Sequence, residues 1–166
     1  MDVARSHFLS PPRPFTLRPG LIRDLQKIAV EGIVNQPGEW RRSTVQITKS
    51  RHQPPEPHLV EALVIEFCDY INNNWHERTP LHLAVYAMWR LNWINPFLDG
   101  NGRTSRTLSY LILTMKLGYE LPGDPTIVKQ IQDDRTRYFR ALESADGASA
   151  EGRIDVSEME MALKGH

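Results

Sequence analysis

Asn95-Pro96-Phe97-Leu98-Asp99-Gly100-Asn101-Gly102-Arg103-Thr104-Ser105-Arg106 lies between two stretches of helical periodicity. Upstream, Leu83, Ala84, Ala87, Met88 and Leu91 recur at helical spacing; downstream, Leu108, Leu111, Ile112 and Met115 do. The second helix is predicted to start at about Arg103. Two glycines flank an asparagine where the chain must turn. Glycine permits positive φ and lets the main chain approach a ligand. The unpaired N–H groups and positive dipole end of a helix start attract anions, as do concave glycine-rich turns. Arg103 and Arg106 are three apart, so on a helix they share a face, and each guanidinium fork matches phosphate oxygens. Asp99 adds a hard carboxylate of the kind Mg²⁺ uses alongside substrate phosphates. The loop therefore reads as a polyphosphate and metal site. Alone, Asp-Gly-Asn-Gly is also compatible with a tight connection and solvated arginines.

Working outward, Thr79-Pro80 starts the upstream helix, since Thr caps and Pro suits the first helical position. That helix runs to about Ile94, and Gly118 is a C-cap for the downstream one. Leu21, Leu25, Ile28 and Ala29 predict a helix over 20–33. Leu59, Leu63, Phe67 and Tyr70-Ile71 predict another over 57–73, ended by Asn72-Asn73-Asn74. Between them, Val45 and Ile47 alternate with polar residues, which predicts a short β-hairpin. Asp124-Pro125 begins a last long helix through Ile127, Ile131, Tyr138 and Leu142. The domain reading is an extended, proline-rich arm over 1–19, a domain over 20–145, and a tail or short helix over 146–166. The fold class is all-α, a helical bundle with a small β-hairpin flap.

Composition narrows the partners. Twenty basic and twenty acidic residues cancel, which argues against a nucleic-acid binder. No apolar run approaches the roughly 20 residues of a membrane span, and the N-terminus has no secretory h-region. One cysteine, Cys68, excludes an intrachain disulfide and suits a reducing compartment, so a cytoplasmic location is expected. No His/Cys cluster has zinc spacing. Cys68 and the four tryptophans are read as packing residues.

The twelve-residue stretch resembles the signature of the Fic (filamentation induced by cAMP) family, H-x-F-x-(D/E)-G-N-G-R-x-x-R, at every fixed position but the first. Pro37-Gly38-Glu39-Trp40-Arg41, Val45-x-Ile47 and Ser50-x-His52-x-Pro54-Pro55 resemble the family's segment leading into its flap, and Leu117-Gly118-Tyr119 resembles the end of the helix after the motif. The resemblance implies transfer of AMP from ATP, with Mg²⁺, to a Ser, Thr or Tyr hydroxyl of a target protein. By position, Asp99 resembles the Mg²⁺ ligand, and Gly100, Asn101 and Gly102 the anion-binding turn. Arg103 and Arg106 resemble the partners of the outer phosphates, and Phe97 the loop's core anchor. Val45, Gln46, Ile47 and Thr48 resemble the flap that docks the target's backbone.

Asn95 stands where the family has the histidine that accepts the proton of the attacking hydroxyl. An amide has no usable basic nitrogen, so the catalytic-base position is impaired. Two readings stay open. Asn95 belongs to a homologue that only binds nucleotide or protein, or that transfers another group; or it is an engineered His→Asn change in an ordinary enzyme, which the undamaged remainder of the motif favours. Of the other histidines, His52, His58, His76 and His82 are read as surface or capping residues. The family's inhibitory pattern, (S/T)-x-x-x-E-(G/N), fails at Glu31-Gly32 because Lys27 occupies its first position, and at Glu151-Gly152 because Gly147 does. Control by a separate inhibitory partner, or by a missing part of a longer chain, is the remaining expectation.

Overall fold

The computed structural model describes residues 15–48, 50–118, 131 and 133–164. Helix α1 is Pro19–Ala29, α2 Val60–Asn73, α3 Pro80–Ile94, α4 Asn101–Leu117, α5 Arg135–Ala150 and α6 Ser157–Lys164. A 3-10 turn, Pro57–Leu59, leads into α2. Among the described residues there is no strand. None of the helices is long and apolar enough to cross a membrane.

α3 is the central element. Leu83 through Trp89, Leu91 and Ile94 are all buried, so this helix is covered nearly all round. Thr79 Oγ1 accepts from the His82 N–H at 3.1 Å and Pro80 sits in the first turn, the start expected from sequence. α4 packs along α3, fastened where Ser109 Oγ donates to the Ala84 carbonyl at 2.7 Å. Gly118, at φ +74, ends α4 by donating its N–H to Thr114 O.

Two predicted faces are turned by one residue. In α1 the buried positions are Ile22 and Gln26, whereas Ile28 is 72% exposed and the helix stops at Ala29. In α2 the inward stripe is Val60, Val64, Phe67, Cys68 and Ile71, whereas Leu59 is 44% exposed and belongs to the 3-10 turn. Each segment has more apolar residues than one face, and the neighbour's position chooses among them. Cys68 is buried, and its thiol is pushed up to about 12 by desolvation and Asp69, so it is an unreactive packing group.

The hairpin expected around Val45 and Ile47 is corrected: among the described residues this segment forms no strand and no ladder. Val45 and Ile47 are half-buried while Gln46 and Thr48 are exposed, so the alternation is real without a ladder. The chain turns at Thr48, where Ser50 donates to Ile47 O at 3.3 Å, and His52 then donates its Nε2–H to Trp93 O on α3. Its anchors are thus side-chain bonds, from His52 to α3 and from the Arg41 guanidinium to Ser43 O. A two-stranded ribbon has little stability of its own, so this outcome costs little.

The two outer stretches of the described residues are tied to the bundle. Leu17 is buried, and its N–H and carbonyl pair with the Asn72 side chain at 2.8 and 2.9 Å. The predicted start of the last helix, at Asp124-Pro125, lies outside the described residues. α5 runs through Gly147 to Ala150, past the point where the tail was expected to loosen. Val156 and Met159, at the start of α6, join the core. His82 binds α6 to the bundle: its Nδ1–H donates to Glu160 at 3.2 Å while Nε2 accepts from the Tyr70 hydroxyl at 2.9 Å.

Candidate active site

The motif loop is built from one left-handed residue, one side-chain staple and two glycines. Asn95 ends α3 at φ 49, ψ 60 and is the one non-glycine residue with positive φ among those described. Asparagine is the side chain that tolerates this conformation best after glycine. Its N–H still closes α3 onto Leu91 O at 2.9 Å. Asn101 staples the loop across four residues: Oδ1 accepts from the Phe97 N–H at 2.9 Å, and Nδ2 donates to Phe97 O at 2.8 Å. Phe97 is buried against Trp40, with ring centroids 5.1 Å apart. Its expected anchoring role fits that burial.

Gly100, at φ +78, is the N-cap of α4, which lets the helix begin at Asn101, two residues earlier than expected. A Cβ there would lie 2.5 Å from Val30 Cγ1, so the end of α1 presses directly on the turn. Thr104 is the first residue of α4 whose N–H returns to this turn, at 2.9 Å from Gly100 O. The main-chain N–H groups of Asn101, Gly102 and Arg103 precede it and have no partner within the helix. The Asn101 side chain, by contrast, is spent on the staple, so its part in anion binding would fall to its main chain.

Asp99 Oδ1 accepts from the Gly100 N–H at 2.7 Å, leaving Oδ2 open. Its carbonyl accepts from Gln26 Nε2 at 3.2 Å, and Gln26 Oε1 accepts from the Gly38 N–H. Gln26 is 3% exposed, so this bridge is a buried strut from α1 to the loop. Arg103 reaches back to Ala29 O at 3.3 Å. Arg106 folds over Gly102, with Nη1 3.0 Å from where a Cβ would sit.

Two cavities meet at this turn. One, of about 500 Å³, is lined by Asn95, by Asp99 through Arg103, by Arg106, and by Gln46 and Ile47. The other, of about 600 Å³, shares Ile47, Asn95, Asn101, Gly102 and Arg106 and extends between Trp89, Trp93 and Tyr138. The fold therefore brings every predicted motif residue to one place, together with Gln46 and Ile47 of the docking segment. Thr48 lines only the aromatic cavity, and Val45 lines neither.

Sequence reasoning missed Gln26, Asn92 and Tyr138, and read the tryptophans as packing. Asn92 Nδ2 donates to Ser105 Oγ at 3.0 Å and to the Tyr138 oxygen at 3.2 Å, linking α3, α4 and α5 behind Arg106. Burial pushes the Tyr138 phenol up to about 12, against the pull of Arg106 and Asn92, so it stays a neutral hydroxyl. Trp89 is buried yet forms part of the cavity wall, with Nε1 donating to Asp146 at 2.9 Å. These residues sit on ordinary helical stripes, and nothing in their spacing marks a site.

His52 lines the aromatic cavity, with its Nε2–H committed to Trp93 O. Glu31 is exposed, and among the described residues Arg106 has no ion pair. No cluster of three acidic, His or Cys side chains that could hold a metal exists among the described residues, and Asp99 is the one carboxylate lining the smaller cavity. One carboxylate beside free N–H groups and arginines suits Mg²⁺ held jointly with a polyphosphate, and not a metal held by protein alone.

Known proteins resemble this chain in sequence and in fold. The chain is 36% identical over 110 residues to the protein adenylyltransferase Fic of Drosophila willistoni, and 37% over 111 residues to that of Drosophila melanogaster. Each match covers 66% of this chain, which spans about one-fifth of those relatives' length. A Fic family protein from Desulfovibrio desulfuricans superposes with a TM-score of 0.70 at 24% identity, over 89% of this chain and 44% of the other. A Fic domain containing signaling protein from Bacteroides thetaiotaomicron gives 0.72 at 20% identity, over 95% and 60%. At such identities the likeness is one of fold. The sequence model of the Fic/DOC family matches residues 16–113, more than half the chain and the whole of the motif turn, and on that match this protein belongs to the Fic/DOC family.

Proposed function

We propose that this chain is a protein adenylyltransferase of the Fic type, which binds ATP with Mg²⁺ and offers the α-phosphorus to a Ser, Thr or Tyr hydroxyl of a target protein. The observation that carries the reading is the cavity at the start of α4, where unpaired N–H groups, Asp99, Arg103 and Arg106 converge. The adjoining cavity, walled by Trp89, Trp93 and Tyr138, has the size and apolar character for a nucleoside. In transfer, the hydroxyl oxygen bonds to the α-phosphorus and the bond to the β-phosphate oxygen breaks, releasing pyrophosphate. The N–H groups of Asn101, Gly102 and Arg103 would hold the charge that develops on the α-phosphate oxygens. Arg103 and Arg106 would hold the outer phosphates. Asp99 Oδ2 would hold Mg²⁺, which when bound neutralises phosphate charge and orients the leaving group. The proton of the attacking hydroxyl must leave, and Asn95 offers no basic nitrogen for it, so it goes to solvent and the step is slow.

Calorimetry tests the reading. ATP with Mg²⁺ is expected to bind, and Asp99→Ala to lose the Mg²⁺-dependent part of the affinity while keeping the rest. If ATP gives no heat with or without Mg²⁺, the proposal is wrong.

A second reading is a homologue that binds nucleotide without transferring it. The left-handed conformation at residue 95 favours it, because asparagine suits that backbone without any catalytic purpose.

The target would dock along residues 45–48, which form no strand with any other described segment and border the phosphate cavity through Gln46 and Ile47. Prolines at Val45 and Thr48 are expected to abolish target modification and leave the Kd for ATP unchanged, as read by mass spectrometry and calorimetry. Loss of both would contradict a docking role. The mass added to the target also identifies the group: a gain other than that of AMP replaces adenylyl transfer with another.

A further inference from the structure

Arg41 is 3% exposed, though its guanidinium is charged at any physiological pH. Buried cations usually sit against a carboxylate. Among the described residues Arg41 has no ion pair. Its donors go to main-chain carbonyls instead. Nε donates to Asn95 O at 2.7 Å, Nη1 to Ser43 O at 3.0 Å, and Nη2 to Pro55 O at 2.5 Å and Ile94 O at 3.3 Å. The main-chain N–H of Arg41 adds a bond to Pro96 O at 2.8 Å. Three consecutive carbonyls, at 94, 95 and 96, thus turn to one residue. Two of them lie at the negative end of α3, where a cation is favoured. The other two acceptors, Ser43 and Pro55, bracket the segment that would dock the target.

We propose that Arg41 is a positioning residue: it clasps both ends of the docking segment to the turn that presents residue 95, so that one side chain sets where the target lies and where its hydroxyl proton must go. The inference rests on the transfer reading above. The planar fork is what allows several fixed carbonyls to be addressed at once; a lysine ammonium is a single point and cannot span them. A displacement of about 1 Å between reacting groups can cost about 100-fold in rate, so loosening this clasp should appear in turnover before it appears in nucleotide binding.

The test uses Arg41→Lys in an Asn95→His background. Its kcat for AMP transfer is expected to fall about 10- to 100-fold, with KM for ATP and Mg²⁺ within about threefold. Amide exchange reads the clasp directly: Ser50 and His52 on one side, and Asn95 and Phe97 on the other, should exchange faster together while α2 is unchanged. Unaltered kcat, or faster exchange on one side only, overturns the proposal. If the Asn95→His parent itself fails to bind ATP, the transfer reading falls, and the exchange result still decides the clasp. Should Arg41→Lys not fold, the same amides are followed in the unmodified chain at low denaturant. One shared opening step supports the clasp, and separate steps refute it.

Discussion

Asn95→His is expected to raise the rate of AMP transfer by about 10²- to 10⁴-fold, the usual worth of a positioned general base. The backbone is ready for the change. Residue 95 is held at φ 49, ψ 60 by its own N–H on Leu91 O and by Arg41 on its carbonyl, and none of these bonds involves the side chain. Histidine is among the residues that enter this left-handed region with some frequency, so the variant should fold. The gain should grow as pH rises through about 6.5, because only neutral imidazole accepts a proton. The Kd for ATP should not move, since the phosphate-binding groups lie beyond residue 95 in the chain. The measurement is incorporation of labelled AMP into a target or into the chain itself, across that pH range. Binding retained with no gain in transfer would establish the binding-only reading of this Fic domain.

Gly100→Ala carries the largest expected cost in stability. The position has φ +78, which an alanine meets with strain of about 1–2 kcal/mol. The new Cβ would also sit 2.5 Å from Val30 Cγ1, and such overpacking costs about 1–3 kcal/mol. Urea denaturation should therefore show a loss of about 2–5 kcal/mol, summed from those two effects. ATP affinity should fall too, because the first N–H groups of α4 follow Gly100. Adding Val30→Ala should recover the overpacking share and leave the backbone strain, which a double-mutant cycle separates. Gly102→Ala gives the contrast. Its φ is not in the left-handed region, and the three atoms nearest its Cβ would all belong to the guanidinium at the far end of the Arg106 side chain. That variant should keep its stability and lose nucleotide affinity. If Gly100→Ala loses less than about 0.5 kcal/mol, the close approach of α1 to the loop is not what shapes the turn.

Some of this could be read from the chain alone because it is local chemistry. Thr79-Pro80 caps its own helix, and Gly118 closes its own. The spacing from Asp99 to Arg106 places a carboxylate, a glycine turn and two guanidiniums together whatever surrounds them. The errors fall where a choice belongs to a neighbour. Leu59 and Val60 are both apolar, and the helices packed against α2 decide that Val60 faces inward. The alternation at Val45 and Ile47 is real in burial, but a hairpin needs a second strand, and the segment is held instead by the Arg41 guanidinium on Ser43 O and the His52 ring on Trp93 O.

By itself, then, the amino-acid order determined the helices flanking the motif and the turn between them, because each depends on residues within a few positions of one another. Only the folded chain decided that Gln26 braces Asp99, that Tyr138 and Asn92 back Arg106, and that Arg41 gathers the carbonyls of 94–96 with those of Ser43 and Pro55. Those partners are separated by up to 73 positions along the chain. Their bonds are partly buried polar contacts that gain in worth once the core has excluded water, and no spacing in the sequence announces them.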